Sequence, residues 1–427
     1  MQLKKGVNLN IIKETKFKTV SIVVRFRTEL KKNTVAKRML ISNLWETSNA
    51  VLKTNRDLDL KLSDMYGASY STTVSKKGRE HFLNLNLSIV DPKLLNENNL
   101  LNEAIIFLKN VIFNPLLTIE GKKTSFEEES FKREKKNLIK YLEATVEDRA
   151  YYAGQQLNKL YFTDENMQIA GTANAELIRK ETAQTTYDYY QQMLNEDAVD
   201  IFVLGNLDDE VIDLVEKSFS NFDFIDRQDK SNYFYQQDIK EIQEITDEKD
   251  AHQSIIQMAY NLPIQYGDDL YMALQVYNGL LGGFPHSKLF MNVREKESLA
   301  YYATSSFDSF SGILRIRAGI EAEDKDKTQA LITEQVESMK NGEFSEQEIE
   351  QTKKMLATSY HLAQDSGRNL IEQSFTRTQF PDKYMEKEEW LQALENVKSK
   401  DIISVAKLIK LQVVYFLKGQ DSFDEEN

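Results

Sequence analysis

The chain of 427 residues contains no cysteine, five prolines and only four histidines. Without cysteine it can form no disulfide, no thiolate nucleophile and no Cys-ligated zinc site. No window reaches the roughly 18 uninterrupted apolar residues of a transmembrane helix, and the N-terminus lacks the apolar stretch of a signal peptide. No basic block stands apart in a chain of net charge −13, whereas nucleic-acid binding needs a clustered basic face. We therefore expect a cytoplasmic protein that binds neither nucleic acid nor membrane.

Several catalytic motifs are also missing. The histidines, which are His81, His252, His286 and His361, are too far apart to form a helical H-E-x-x-H or H-x-x-E-H zinc motif. No G-x-S-x-G elbow occurs, and the glycines of 279–283 lack the Gly-Lys-Ser/Thr ending of a phosphate loop. We interpret His81 as a surface or strand-edge residue, and segment 279–283 as a turn that lets another backbone approach. A metal site assembled from distant carboxylates stays open.

Hydrophobic periodicity predicts an α+β fold, in two to four units at about 100–200 residues each. Predicted strands lie at 18–27, 69–75, 80–90, 199–204, 252–261, 301–308, 312–320 and 412–417. Predicted helices lie at 33–49, 57–66, 100–112, 126–160 (as one or two), 270–281, 289–299, 328–340 and 345–364. The order of elements in the first half therefore recurs in the second.

An internal repeat accounts for this recurrence. Placing Phe126 on Phe344, an offset of 344 − 126 = 218, brings Phe131 onto Ile349 without a gap. Chance similarity of two Lys/Glu-rich amphipathic helices is the alternative, but the shared order of elements favours two copies of one unit. We predict a first domain at 1–219, an exposed linker rich in Asp, Gln and Lys at 220–250, and a second domain at 251–427.

One segment carries a candidate binding pair. Residues 287–302 read Ser-Lys-Leu-Phe-Met-Asn-Val-Arg-Glu-Lys-Glu-Ser-Leu-Ala-Tyr-Tyr, and place Arg294 seven residues before Tyr301, on a helix that runs into a strand. Arginine offers five fixed N–H donors, and the tyrosine hydroxyl stays neutral near pH 7. Together they can hold a carbonyl oxygen or an oxyanion that forms from it. An exposed arginine that is merely solvated is the alternative.

This segment, preceded by Gly-Leu-Leu-Gly-Gly at 279–283, resembles the arginine–tyrosine substrate motif of the M16 family (insulinase, pitrilysin and processing peptidase). Segments 126–142, 171–194 and 199–208 resemble signatures of that family's first domain. The resemblance covers nearly the whole chain. It implies two homologous domains, each a mostly antiparallel sheet flanked by helices, that form one half of a clamshell. It also implies substrate-binding roles for Arg294, Tyr301, Gly282 and Gly283.

The chain departs from the family where zinc should bind. Active members carry H-x-x-E-H on the first helix and a further glutamate ligand on the long helix. By placement, Met39, Ser42 and Asn43 stand at the His, Glu and His positions, and Tyr141 stands near the third ligand. The register can slip by one or two residues, but no histidine precedes His81. The resemblance therefore implies a chain with no catalytic residue, no metal and no cofactor of its own.

This pattern resembles the non-catalytic partner in bacterial M16 heterodimers, in which one chain supplies zinc and the other the arginine–tyrosine pair. We expect an H-x-x-E-H homologue as partner, or a homodimer in isolation, and a peptide substrate. More narrowly, the chain resembles the subgroup associated with aminopentanol modification of elongation factor P. A non-proteolytic peptide-binding or scaffold subunit is one alternative, and a self-sufficient enzyme with unrelated metal ligands is another.

Overall fold

The computed structural model describes residues 1–95, 99–249 and 253–419. The chain divides into two compact units. Unit 1 comprises Met1–Ala144, Ala170–Asn232 and Ser366–Gln379, and unit 2 comprises Thr145–Ile169, Tyr233–Asp365 and Phe380–Asn427. Each unit combines a β-sheet with helices, which confirms the predicted α+β class. His252, at the start of a predicted strand, lies outside the described residues.

The strands are β1 (Gln2–Lys4), β2 (Val7–Lys13), β3 (Thr19–Glu29), β4 (Ser69–Lys77), β5 (Glu80–Val90), β6 (Leu117–Glu120), β7 (Lys123–Phe126), β8 (Ala198–Gly205), β9 (Gln243–Lys249), β10 (Ser254–Asn261), β11 (Ala300–Asp308), β12 (Ile313–Ile320) and β13 (Lys410–Gly419). The helices are α1 (Val35–Thr47), α2 (Asn55–Asp64), α3 (Leu100–Phe113), α4 (Glu128–Thr145), α5 (Arg149–Tyr161), α6 (Glu165–Gln168), α7 (Ala175–Lys180), α8 (Ala183–Glu196), α9 (Asp209–Ser220), α10 (Tyr271–Asn278), α11 (Lys325–Lys340), α12 (Glu346–Ala363), α13 (Gly367–Gln379), α14 (Lys387–Asn396) and α15 (Ser399–Leu408). Two π-helical segments, Gly279–Gly283 and Leu289–Lys296, follow α10. No helix in the described ranges combines the length and the apolar composition needed to cross a membrane.

The two sheets share one strand order. Unit 1 has the order β1-β2-β8-β3-β5-β4, and unit 2, read from its other edge, has the order β9-β13-β10-β12-β11. In each sheet one pair is parallel, β2 with β8 and β9 with β13, and the strand pairs between these and the far edge are antiparallel. Strand β1 has no counterpart in the described part of unit 2. This common topology is what two copies of one unit produce.

Local sequence signals account for much of the first unit. Gly67 and Gly78 have φ angles of +72° and +54°, so the turns after α2 and between β4 and β5 use the left-handed conformation that glycine adopts most readily. Thr54 accepts from the backbone N–H of Asp57 and forms a capping box that starts α2. Strand β3 is buried along most of its length, and β5 and β8 pair with it on its two sides.

The helical repeat extends beyond the residues that revealed it. Adding 218 to the bounds of α4, 128 and 145, gives 346 and 363, which are the bounds of α12. The same offset carries the bounds of α5, 149 and 161, onto those of α13, 367 and 379. Helix α5 belongs to unit 2, where it packs on β10 and β13, and α13 belongs to unit 1, where it packs on β2 and β8. Each unit thus contains a helix from the other half of the chain.

The described residues of the predicted linker, 220–249, are mostly exposed, but they also include buried aromatic side chains and a strand. Phe222, Phe224, Tyr233 and Tyr235 are buried there, each at most 5% exposed. The segment also contains β9, which pairs with β13. Low periodicity gave no indication of these buried side chains, because isolated aromatic residues can be buried without a repeating pattern. The domain boundaries themselves stay a prediction.

Candidate functional site

A cleft in unit 1 contains the four residues that the resemblance assigns to the zinc positions. Its walls come from α1, β4 and α4, and its volume is about 440 Å³. Met39, Ser42, Asn43 and Tyr141 all line it, together with Glu46, Thr72, Thr73, Val74, Asn137, Leu138 and Thr172. Residues about a hundred positions apart in the sequence therefore line one cleft, and their assignment to the zinc positions stays a prediction.

The four residues assigned to the zinc positions do not suit zinc, and the carboxylate of Glu46, which also lines the cleft, accepts from the Thr72 N–H. Zinc in proteins is bound by thiolate, imidazole and carboxylate, whereas these four positions offer a thioether, a hydroxyl, an amide and a phenol. The protein itself also uses them: Ser42 Oγ lies 2.7 Å from Thr72 Oγ1, and Asn43 Nδ2 donates to the Met39 carbonyl at 2.9 Å. Across the described ranges, no group of three or more His, Asp or Glu side chains is arranged to hold a metal ion.

His81 is fully buried in unit 1, so the expectation of a surface or strand-edge role is wrong. Its Nδ1 accepts from Arg38 Nε at 2.8 Å, and its Nε2 lies 2.7 Å from the Gly171 carbonyl. These partners require a neutral imidazole that carries its proton on Nε2. Burial, reinforced by the positive charge of Arg38, lowers the pKa of His81 to about 3. His81 is therefore a structural hydrogen-bond relay.

Arg38 was missed by the sequence analysis although it fixes α1 beside the cleft. Its side chain is fully buried, forms an ion pair with Asp197 and donates to the Phe26 carbonyl at 2.9 Å. Burial alone would lower the pKa of Arg38, but the Asp197 carboxylate overrides it and raises that pKa. Nothing in the sequence near Arg38 indicates this role, because its partners Asp197 and His81 are distant in sequence.

Arg294 and Tyr301 lie on either side of a tight connection in unit 2. Arg294 is in the π-helical segment Leu289–Lys296, and Tyr301 is in β11. Ser298 between them has a φ of +55°, and the Leu299 N–H donates to the Val293 carbonyl at 3.2 Å. The register of β11 against β12 shifts between Ala300 and Tyr302, so Tyr301 sits in a β-bulge. A bulge redirects a side chain out of the regular alternation.

Both side chains of this pair are accessible. The Arg294 side chain is 42% exposed, with its guanidinium 4.6 Å from the centre of the Phe290 ring and its Nε 3.7 Å from Glu295 Oε1. Tyr301 is 60% exposed and donates its hydroxyl hydrogen bond to Glu321. That hydrogen bond and the charge of Glu321 raise the pKa of Tyr301, which stays a neutral donor. A joint substrate-binding role for Arg294 and Tyr301 stays a prediction.

The two glycines predicted to approach a substrate differ in their surroundings. Gly282 is buried, and a Cβ built there would lie 2.5 Å from the Ser305 backbone nitrogen. The neighbouring strand β11 therefore already accounts for a glycine at this position. Gly283 is exposed, and a Cβ there would lie 3.1 Å from Asn278 Nδ2. A substrate role for either glycine stays a prediction.

Comparison with known proteins identifies relatives of the whole chain. The peptidase M16 inactive domain matches residues 180–356. A Bacillus subtilis (strain 168) protein, the probable inactive metalloprotease YmfF, is 33% identical over 422 residues, which cover 97% of this chain and 96% of the relative. The uncharacterized zinc protease YmxG of the same strain is 27% identical over 256 residues, 57% of this chain and 59% of that protein.

Solved structures also resemble this chain over its whole length. The crystal structure of a conserved protein from Enterococcus faecalis V583 is 42% identical, covers 99% of both chains and has a TM-score of 0.93. The structure of a Helicobacter pylori protease shares the fold at 15% identity, with a TM-score of 0.80 over 98% of both chains. A cleft that contains neither histidine nor cysteine fits the description of the Bacillus relative as inactive. The chain belongs to the peptidase M16 family and is similar to its inactive members.

Proposed function

We propose that this chain is a non-catalytic M16 subunit that binds a peptide through Arg294 and Tyr301 and presents it to a zinc-bearing H-x-x-E-H homologue. One observation carries the proposal. The cleft in unit 1 has no histidine or cysteine and a single carboxylate, that of Glu46, while Arg294 and Tyr301 of unit 2 are exposed at the surface. A chain that has the arginine–tyrosine pair but cannot bind zinc would need a zinc site on another polypeptide.

The two side chains suit stabilisation of a developing charge. Arg294 brings a permanent positive charge, and Tyr301 brings a neutral hydroxyl donor. Donors held towards an oxyanion typically lower a barrier by about 3–4 kcal/mol each. Zinc on the partner would supply the activated water. Before Tyr301 can donate to a substrate carbonyl, its hydroxyl must turn away from Glu321.

Affinity purification from the native cell tests the pairing. We expect an H-x-x-E-H chain to co-purify in equal amount, with zinc in the complex and none in this chain alone. Arg294→Ala and Tyr301→Phe should retain the partner but bind peptide more weakly. The matched controls are Arg56→Ala and Tyr66→Phe, which change an exposed arginine and an exposed tyrosine of unit 1.

Three outcomes contradict parts of the proposal. Stoichiometric zinc in the isolated chain would show that it is a self-sufficient enzyme. Co-purification of a partner without any peptide cleavage would favour a non-proteolytic peptide-binding subunit. A chain that only self-associates and binds no H-x-x-E-H homologue would remove the heterodimer altogether.

A further inference from the structure

Two arginines lie side by side on the sheet of unit 2. Arg315 and Arg317 are in β12, two residues apart, so both project from the face opposite the apolar residues Leu314 and Ile316. Arg317 is exposed and Arg315 is half-buried. The described chain provides neither guanidinium with a carboxylate at ion-pair distance, and the hydrogen bond of Arg315 goes to Asn158 Oδ1 at 2.9 Å.

The neighbouring strands add no negative charge. The register partners of Arg317 are Thr304 on β11 and Gln257 on β10. Those of Arg315 are Ser306 and Ala259. Two like charges are thus held on adjacent same-face positions among uncharged side chains.

Nearby acidic groups are engaged elsewhere. Asp308 accepts from the backbone N–H groups of Phe310 and Ser311 at 2.9 and 3.1 Å. Asp148 accepts from the Tyr151 N–H at 3.0 Å, where it starts α5. Burial lowers the pKa of the Arg315 guanidinium; Asp308 opposes this effect and Arg317 adds to it. Asp308 thus offsets part of the charge of Arg315, but neither guanidinium has a carboxylate at ion-pair distance among the described residues.

Unit 1 shows the contrasting case in the same molecule. Arg25 and Arg27 lie on β3, again two residues apart, but each has a carboxylate partner. Arg25 pairs with Glu372, and Arg27 Nε lies 2.7 Å from Asp200 Oδ2. The charges of these two sheet arginines are therefore neutralised by carboxylates of unit 1 itself. Arg315 and Arg317 lack that neutralisation, which is the arrangement expected of a site for an external anion.

The location connects this pair to the peptide. Thr304, beside Arg317, follows the bulged Tyr301 by three residues, which span about 10 Å of extended strand. We propose that Arg317, supported by Arg315, binds the side-chain carboxylate of an aspartate or glutamate that lies about three residues from the peptide bond held by Arg294 and Tyr301. The inference rests on the proposed function and assigns it a substrate class, namely acidic peptides.

Paired peptides test the inference. Short fluorescein-labelled peptides of alanine, serine and glycine would carry one glutamate at each position in turn, and a matched set would carry glutamine instead. We expect wild type to prefer glutamate at one position by about tenfold, as a charge-assisted hydrogen bond provides. Arg317→Ala should abolish this preference while the glutamine peptides bind as before. Arg317→Lys should restore only part of it, because lysine lacks the two-pronged donor geometry.

The arms of the experiment separate the two proposals. The control Arg56→Ala should leave the preference intact. If Arg294→Ala binds both peptide sets more weakly while Arg317→Ala keeps the glutamate preference, the acidic-peptide inference is overturned. The proposed function then still stands. Normal binding of both sets by Arg294→Ala and Tyr301→Phe, or no binding by wild type, overturns the proposed function. Competition by inorganic phosphate, beyond that of chloride at equal ionic strength, would identify a phosphate site instead and overturn the carboxylate assignment.

Discussion

Zinc binding can be rebuilt in the unit 1 cleft if its residues occupy the positions that we assign to them. Met39 and Asn43 are four residues apart on α1, so two histidines there would lie on one helix face. Tyr141 lines the same cleft from α4 and is 60% exposed. The variant Met39→His/Asn43→His/Tyr141→Glu therefore supplies three zinc ligands, the number found in catalytic zinc sites. Ser42 is left unchanged because it is 3% exposed and bonded to Thr72.

The expected magnitude follows from ligand linkage. Free zinc at a hundred times its dissociation constant stabilises the folded state by about 2.7 kcal/mol. For a domain of about 200 residues this corresponds to a rise of roughly 5–10 °C in Tm. Thermal melts with and without zinc measure the shift, and calorimetric titration measures the stoichiometry, which should be one.

A matched variant guards against adventitious zinc binding. Met39→His/Asn43→His/Tyr66→Glu introduces the same residue types, but places the glutamate at Tyr66, outside the cleft. It should show a much smaller shift. Equal shifts in both variants, or no zinc-dependent shift in the first, would refute the assignment of the degenerate ligand positions.

Three further predictions concern single residues. Glu321→Ala should lower the pKa of Tyr301 towards its ordinary value of about 10, as read from phenolate absorbance against a Tyr301→Phe background; an unchanged titration would mean that Glu321 does not hold the hydroxyl. Gly282→Ala should destabilise by about 1–3 kcal/mol in urea unfolding, because a Cβ would come within 2.5 Å of a backbone nitrogen in β11. Gly154→Ala, where a Cβ meets nothing within 4 Å, should be neutral or stabilising, and equal effects would contradict the packing argument. His81 is buried neutral with a pKa of about 3, so its contribution to stability is complete above about pH 6.5 and is lost as the pH falls towards 3. At pH 5 this loss should reach about 2 kcal/mol, and it should disappear in His81→Gln.

Local signals explain which elements could be predicted from the sequence. The β4–β5 hairpin follows from the alternation of apolar and polar residues on either side of Gly78. Apolar residues three or four positions apart predict α1. The offset of 218 predicted a duplicated unit, and the shared strand order of the two sheets agrees with it. Each of these features depends on residues that are close in sequence or on a repeated pattern.

Long-range pairing explains what could not be predicted. Strand β9 is mostly exposed and polar, and it joins its sheet only because β13, more than 150 residues later, provides the parallel partner. Arg38 reads as a surface residue of a helix, yet Asp197 and His81 enclose it. The unpaired state of Arg315 and Arg317 is likewise invisible in the sequence, because it depends on which side chains the adjacent strands place beside them.

The central claim is that the two halves of one peptidase site lie on two polypeptides. Its most direct test is the rate of peptide cleavage by this chain alone, by its H-x-x-E-H partner alone, and by their equimolar mixture. We predict that only the mixture cleaves, and that Arg294→Ala with Tyr301→Phe reduces its rate by at least about a hundredfold without dissociating the complex. Full activity of the mixture with this double variant, or cleavage by the isolated chain, would contradict the account.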